Sequence, residues 1–265
     1  KVIFPDGSFV TPVKITANKN ADLALLYLNN NYPDFRLAVA TQSDIAENEQ
    51  LLAAGYPLGS DLPGEVTILK GNANAARTSK SSIVDYLQSD INLVAGMSGG
   101  PVVDRCGKVV GVNTAGLAGL SLFIVSDSFT KLWDTFTEEA ITKIDVDPAA
   151  SSQRAVEAFY TYLKARRMED GFNLLSQEYL QKTNFEEWTN RFKDILDVNV
   201  IKSERFEDTK DTAMVKFSTK NWVDGEAEMH YYEGTWQTVV EDGVYKMLKS
   251  KIVEVEDPGW DWFYE

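Results

Sequence analysis

The 265-residue sequence predicts two domains, an all-β domain followed by an α+β domain. In the first half, short runs of Val, Ile and Leu are broken by Gly, Pro and Asn, a pattern typical of all-β folds. In the second half, helical periodicity comes first and long alternating segments follow. Residues 145–152 lie between them and have the composition of a linker. We therefore expect domains at residues 1–144 and 152–265.

The strand-like runs of the first domain are short and closely spaced. They are Val13–Ile15, Leu23–Leu28, Leu51–Ala54, Val66–Leu69, Val109–Asn113 and Leu122–Val125. A helix should close this domain, because the residues that follow place apolar side chains on one helical stripe. Ser126 or Asp127 can cap its start. The stripe consists of Phe129, Leu132, Trp133 and Phe136.

The second domain should contain helices followed by an antiparallel sheet. Apolar stripes predict helices at Val156–Leu163, Phe172–Leu175 and Phe185–Ile195. The turn residues Asp242 and Gly243 should join the last two strands as a hairpin. The four predicted strands are Val198–Phe206, Ala213–Ser218, Glu226–Val240 and Val244–Val255.

Composition excludes several classes of partner. A formal net charge of −14 argues against nucleic acid and against anionic membranes, because both require clustered Lys and Arg. No apolar run approaches the roughly 18 residues of a membrane helix, so membrane insertion is not expected. The single cysteine, Cys106, excludes an internal disulfide and leaves both cytosol and periplasm open.

The strongest chemical signal is the run Gly96-Met97-Ser98-Gly99-Gly100-Pro101. Acyl transfer needs a serine on a tight turn whose backbone N–H groups converge on one point, and small neighbours let a substrate carbonyl approach. The glycines around Ser98 meet both needs. This run resembles the nucleophile loop of trypsin-like serine peptidases, and it is most similar to the HtrA/Deg branch of that family.

Three more segments resemble the family in order and spacing. Gln88-Ser89-Asp90 precedes Ser98 at the family's distance, and Asn20–Leu26 resembles the stretch that carries the aspartate of the catalytic triad. Gly55-Tyr56-Pro57-Leu58-Gly59 resembles a loop that follows that aspartate. The resemblance extends to about residue 135 and implies a trypsin-like double β-barrel whose first barrel is incomplete.

The resemblance also implies a role for each matching residue. Ser98 would be the nucleophile, the N–H groups of Gly96 and Ser98 the oxyanion hole, and Asp22 the group that orients the base. Peptide or protein substrates and a periplasmic or secreted location are implied, and no cofactor is expected. Asn92 would lie near the base of the specificity pocket, where it gives no reason to expect selection for Lys or Arg. The edge strand that pairs with an extended peptide would contain Leu122, Phe123 and Ile124.

One member of the triad is not in the expected place. The family carries its histidine upstream of the aspartate, whereas the only histidine here, His230, lies far downstream. The chain also opens on a strand-like segment without an initiator Met. We interpret the sequence as a fragment of a serine endopeptidase that is inactive alone. The competing hypothesis is a pseudopeptidase that binds peptides without cutting them.

Two other interpretations of Ser98 remain open. The pattern Gly96-x-Ser98-x-Gly100 also fits the nucleophile elbow of α/β-hydrolases, with Asp211 and His230 in the right chain order. An elbow must lead into a helix, however, and Pro101-Val102-Val103 indicates a strand. The second open interpretation is that Ser98 is a turn serine without catalytic function. With one histidine and one cysteine, no metal site is expected, and His230 is interpreted as an ordinary strand residue.

The second domain resembles the nuclear-transport-factor-two-like cone fold. The resemblance rests on the opening helix Ala155–Tyr160 and on the run Gly234–Val240 before Tyr245–Leu248. It implies a bent antiparallel sheet with helices in its concave side. Some members of this family are enzymes and many are binding modules. Because we find no acid–base pair in the domain, we expect an accessory role that binds a partner or a ligand.

Overall fold

The structure is a computed structural model. It describes residues 1–4, 6–30, 32, 36–40, 45–57, 65–78, 82–117, 120–206 and 208–264, and for 115–117 only the backbone. Contacts divide the chain into two compact units. The barrel unit consists of residues 18–23 and 32–136, and the sheet unit of residues 1–17, 24–31 and 137–265.

Two short hairpins open the chain. The first pairs β1 (Val2–Ile3) with β2 (Phe9–Val10), and the second pairs β3 (Lys14–Asn18) with β4 (Leu23–Tyr27). Most of both hairpins belongs to the sheet unit, whereas the turn at residues 18–23 belongs to the barrel unit.

Six antiparallel strands of the barrel unit form one closed barrel, in the order β5-β6-β7-β10-β9-β8. Alternation along the strands sends one set of side chains inward, where Leu51, Val102 and Phe123 are fully buried. The pairing of β9 with β10 closes the barrel, and its register places Leu117 opposite Leu120. The strands are β5 (Gln50–Gly55), β6 (Thr67–Thr78), β7 (Asp85–Ser89), β8 (Pro101–Val103), β9 (Val109–Leu117) and β10 (Leu120–Val125).

The predicted closing helix exists, but it is capped differently. α1 spans Ser126–Leu132 and ends in a 3-10 turn at Trp133–Thr135. Val125 is the N-cap residue and offers no side-chain acceptor, so the predicted cap at Ser126 or Asp127 is wrong. The hydroxyl of Ser126 is engaged elsewhere, since it donates to the carbonyl of Ala40 at 2.5 Å.

The sheet unit confirms the order of helices followed by four strands. Ser151 caps the first helix by accepting from the N–H of Arg154. None of the helices in the described ranges has the length and apolarity needed to cross a bilayer. The elements are α2 (Ser152–Lys164), α3 (Met168–Asn173), α4 (Gln177–Leu180), α5 (Phe185–Asn190), β11 (Ile195–Arg205), β12 (Thr212–Val223), β13 (Glu226–Glu241) and β14 (Val244–Glu254).

The four strands pair consecutively in one antiparallel sheet, and special backbone positions shape it. Asp242 and Gly243 have φ values of 50° and 79°, which confirms the predicted hairpin turn between β13 and β14. Within β13, Gly234 has φ of 154°, and a Cβ at this position would collide with the backbone of Lys251 on β14. Only glycine therefore fits this close approach of two strands.

The N-terminal hairpins pack within the sheet unit, a contact that no sequence pattern predicts. Val13 packs against the apolar core of the sheet unit, and its carbonyl accepts from the N–H of Met168 at 3.1 Å. Thr11 donates to the carbonyl of Lys193 at 3.1 Å. The contact division therefore differs from the predicted division, which placed residues 1–144 together. Independent folding of residues 152–265 and the cone-fold resemblance stay predictions.

Candidate active site

Ser98 lies on a glycine-rich turn between β7 and β8. Gly96 and Gly99 on either side of it have φ values of 93° and 85°, a conformation that glycine adopts without strain. The chain doubles back here, because the N–H of Met97 bonds to Val94 O at 3.2 Å and the N–H of Gly100 to Met97 O at 3.1 Å. The Ser98 side chain is consequently exposed at the tip of the turn.

Below the turn, the loop is held by a buried asparagine. Asn113 on β9 is 2% exposed, and its Nδ2 donates to the carbonyls of Met97 and Ala54, at 3.0 Å each. Met97 itself is fully buried. A Cβ at Gly55 would lie 2.9 Å from the Cα of Met97, so glycine is needed for the loop to come this close. Leu58 and Gly59 of the same motif lie outside the described residues.

We predict that Asn113→Ala lowers the free energy of unfolding by about 2–4 kcal/mol. The substitution takes a donor from two carbonyls, of which that of Met97 still accepts from the N–H of Gly100. A buried polar group left unpaired costs about 1–3 kcal/mol, and the lost side chain also leaves a cavity. Urea denaturation followed by circular dichroism measures the change. Asn20→Ala is the matched control, since Asn20 is exposed and its side chain bonds to no described residue. Equal losses in the two variants would contradict the anchoring role of Asn113.

Two kinds of polar group lie at Ser98, its hydroxyl and the neighbouring backbone N–H groups. The Ser98 hydroxyl donates to the carbonyl of Thr114 at 3.3 Å. No described residue accepts a hydrogen bond from the N–H of Gly96 or of Ser98. Two free N–H groups next to a serine hydroxyl can stabilise an oxyanion.

Asp22 lies in the turn between β3 and β4. The Oδ1 of Asn18 accepts from the N–H groups of Asn20 and Ala21, which fixes this turn. Ala21 is buried against Val84 and Ile124 of the barrel unit. Asp22 follows with φ of 55° and an exposed side chain. Both candidate triad residues thus lie in the barrel unit. Ala21, next to Asp22, packs against Ile124 of β10, and Ser98 contacts Thr114 of β9.

The predicted edge strand is not an edge. Leu122, Phe123 and Ile124 lie on β10, which is paired with β7 on one side and with β9 on the other. Phe123 and Ile124 are moreover fully buried. This prediction is wrong because β10 is an interior strand of a closed barrel, and its backbone hydrogen bonds are already satisfied.

Among the described strands, β9 has an unpaired side near Ser98. Its pairing with β8 ends at Val112, while its pairing with β10 continues to Leu117. After Asn113, which still bonds to Gly99 and Gly100, no described strand covers the second side of β9. This uncovered side begins at Thr114, whose carbonyl contacts the Ser98 hydroxyl. Thr114 is not among the predicted site residues, although it directly follows the predicted strand Val109–Asn113.

Asn92 lies between two residues whose backbone is hydrogen-bonded to the side chain of Ser121. The hydroxyl of Ser121 donates to the carbonyl of Ile91 at 2.6 Å and accepts from the N–H of Leu93 at 3.2 Å. The backbone on both sides of Asn92 is therefore held, while its side chain is exposed. Its assignment to a specificity pocket stays a prediction.

Sequence comparison agrees with the antiparallel barrel and its serine turn. Residues 1–112 match the trypsin-like peptidase domain family. This match agrees with the trypsin-like resemblance expected for the first part of the chain. The α/β-hydrolase interpretation is wrong, because the turn leads into strand β8 and not into a helix.

Individual relatives belong to the HtrA group. The serine protease Do-like HtrA of Bacillus subtilis is 32% identical over 119 residues, which are 43% of this chain and 26% of that protein. The mitochondrial serine protease HTRA2 of Bos taurus is 30% identical over 134 residues, 48% of this chain and 28% of that protein. The chain spans about a quarter of the length of these relatives. The solved structure of the Rv3671c protease in its inactive form is 21% identical, covers 45% of this chain and 63% of that one, and has a TM-score of 0.38.

His230 lies on β13 in the sheet unit. Its Nδ1 is 2.6 Å from a carboxylate oxygen of Glu254, and its ring stacks on Tyr232. Across the described ranges, no group of three or more His, Cys, Asp and Glu side chains is placed to hold a metal ion.

Proposed function

We propose that the trypsin-like part of the chain belongs to a serine endopeptidase that cleaves peptide bonds through an acyl-enzyme. The observation that carries this proposal is the turn at Ser98, where an exposed hydroxyl lies beside two unpaired N–H groups. A hydroxyl that attacks a carbonyl generates an oxyanion, which the N–H groups of Gly96 and Ser98 stabilise.

The free side of β9 supports peptides as the substrate class. An extended peptide that pairs with Thr114 and the following residues adds a strand to the sheet, and its main chain then lies next to Ser98. Asn92, six positions before Ser98, is assigned to the pocket for the side chain at the cleavage site. Backbone pairing supplies affinity, and this pocket supplies the selection.

Asp22 is assigned the role of orienting the base, and the base itself is a histidine from beyond these 265 residues. His230 is a poor partner for Asp22, because the Nδ1 that Asp22 would bond already lies 2.6 Å from a carboxylate oxygen of Glu254. In this proposal the 265-residue chain alone does not hydrolyse peptides, since an unassisted serine hydroxyl is a weak nucleophile.

The separation of Asp22 and Ser98 tests this assignment. An imidazole that bonds to both, at roughly 2.8 Å each, leaves the carboxylate and the hydroxyl about 7 Å apart. A crystal structure of the chain measures this distance, with the buried contact of Ala21 and Ile124 as a check that the turn is intact. A carboxylate more than twice as far from the hydroxyl would contradict a triad that contains Asp22.

A pseudopeptidase that binds peptides without cleavage is the second candidate. The single histidine of this sequence lies far downstream of Asp22, and this favours the pseudopeptidase. A peptide can bind along β9 without a catalytic base. The two candidates differ in one measurement. Cleavage of a bound peptide that disappears in Ser98→Ala supports the peptidase, whereas unchanged binding without cleavage in every form of the protein supports the pseudopeptidase.

A further inference from the structure

The side-chain amide of Asn113 holds the peptide unit that contains the N–H of Ser98. Its Nδ2 carries two N–H groups, and it donates to the carbonyls of Met97 and Ala54 at 3.0 Å each, so both donors are used. The bond to Met97 is buried. Because Met97 directly precedes Ser98, this bond acts on the peptide unit between the two residues.

The carbonyl of Met97 is also held from a second direction. It accepts from the N–H of Gly100 at 3.1 Å, in addition to the amide of Asn113. A carbonyl oxygen has two lone pairs, so this oxygen is fully paired. Rotation of the peptide unit between Met97 and Ser98 would break both bonds and take this acceptor away from both donors.

Peptide geometry converts the fixed carbonyl into a fixed direction for the next N–H. The bond between Met97 and Ser98 is trans, as are the other peptide bonds of the described ranges. In a planar trans peptide the C=O and the N–H point in opposite directions. The Met97 carbonyl points toward Asn113, so the Ser98 N–H points away from it. This agrees with the exposure of Ser98 and with the lack of an acceptor for its N–H among the described residues.

The second proposed donor of the oxyanion hole is independent of this contact. The N–H of Gly96 belongs to the peptide unit that follows Ala95, and Asn113 bonds to neither residue in the described contacts. Asn113 therefore acts on one of the two donors only.

We propose that Asn113 is a positioning residue for the oxyanion hole, which holds the N–H of Ser98 toward the substrate carbonyl. It acts through the peptide unit of Met97 and does not touch the substrate. This inference rests on the proposed peptidase function, and it separates a catalytic effect of Asn113 from its effect on stability. An N–H that bonds to the oxyanion acts mainly in the transition state, so its loss lowers kcat and not the affinity for the substrate.

The direction of the Ser98 N–H can be tested without catalysis. Amide hydrogen exchange of the 265-residue chain, followed by NMR, compares Ser98 with its neighbours in the same turn. The N–H groups of Gly99 and Gly100 are the controls, because they bond to Asn113 O at 2.9 Å and to Met97 O at 3.1 Å. Relative to its intrinsic rate, Ser98 should exchange at least about tenfold faster than either glycine. A Ser98 amide that is as protected as theirs would overturn the inference.

Asn113→Ala in the longer gene product tests the effect on catalysis. Loss of a complete oxyanion-hole donor lowers kcat by about 10²–10³-fold, which is an upper limit here because Gly100 still holds the Met97 carbonyl. We expect kcat to fall about ten- to a hundredfold, with KM changed by less than about twofold. The rate is expressed per site that reacts with a fluorophosphonate, so that unfolded molecules do not contribute.

Two further variants separate positioning from stability. Ser126→Ala is the matched control, since Ser126 is 1% exposed, lies in the same unit and donates to a single carbonyl, that of Ala40, at 2.5 Å. It should lower stability and leave kcat per site unchanged. Asn113→Ser replaces Asn113→Ala if that variant does not fold. Its hydroxyl donates to only one of the two carbonyls, so kcat per site should fall here as well.

Each contrary result has a distinct meaning. An unchanged kcat per site in both Asn113 variants would overturn the inference and leave the peptidase proposal in place. An equal fall in Ser126→Ala would reduce the role of Asn113 to stability. A longer gene product that neither reacts with the fluorophosphonate nor cleaves peptides would contradict the proposed function, and the inference with it.

Discussion

A longer gene product that adds a histidine-bearing segment before Lys1 is expected to react with a fluorophosphonate at Ser98, whereas the 265-residue chain is expected to be inert. The histidine removes the proton from the serine hydroxyl as it attacks. Without this base the hydroxyl remains a weak nucleophile. Removal of one triad member lowers the rate of hydrolysis by about four to six orders of magnitude. In-gel fluorescence of the labelled protein and the rate of peptide hydrolysis both report the difference.

Two substitutions in the longer protein sharpen this experiment. Ser98→Ala should abolish both labelling and hydrolysis. Ser8→Ala is the matched control, because Ser8 is another exposed turn serine, whose hydroxyl bonds to Asp6 at 2.6 Å. Label that persists in Ser98→Ala would assign the reaction to a different serine. A longer protein that binds peptides but takes up no label would favour the pseudopeptidase.

Trp188→Ala is expected to lower the free energy of unfolding of the sheet unit by about 3–5 kcal/mol, the usual cost of removing a large buried ring. Trp188 is 1% exposed and packs against Phe159, Phe172 and Phe192, with ring centroids 6.1, 5.5 and 4.9 Å away. Domain stabilities are about 5–15 kcal/mol, so this loss is a large fraction of the total. The midpoint of urea denaturation, followed by circular dichroism, measures it.

Trp260→Ala is the control for the loss of a tryptophan as such. Trp260 is 77% exposed, and its substitution should change stability by less than about 0.5 kcal/mol. Similar losses in both variants would show that the core of the sheet unit does not depend on Trp188.

The sheet of the sheet unit could be predicted because its signals are local. Long alternating segments and the pair Asp242-Gly243 specify two strands and the turn between them without any distant contact. The grouping of the first hairpins with this sheet could not be predicted. It depends on the contact between Val13 and Met168, which are far apart in the sequence. No local pattern at either residue predicts this contact.

The candidate site shows the same difference. The glycines around Ser98 could be predicted, because a tight turn with positive φ requires them. The pairing of β10 on both sides could not be predicted, because a short apolar run has the same pattern in an edge strand and in a strand paired on both sides. The anchoring role of Asn113 also escaped prediction, because its partners Ala54 and Met97 are 59 and 16 positions away.

The interrupted course of the chain through the two units sets an order for folding during synthesis. The barrel unit uses residues up to 136, so its whole sequence is available early. The sheet unit needs residues 1–17 and also β14, whose last residue, Glu254, lies 118 positions beyond Phe136. At about 5–20 residues per second, the ribosome reaches Glu254 roughly 6 to 24 s later. During that interval the core against which Val13 packs is incomplete, and the first hairpins are accessible to chaperones and proteases.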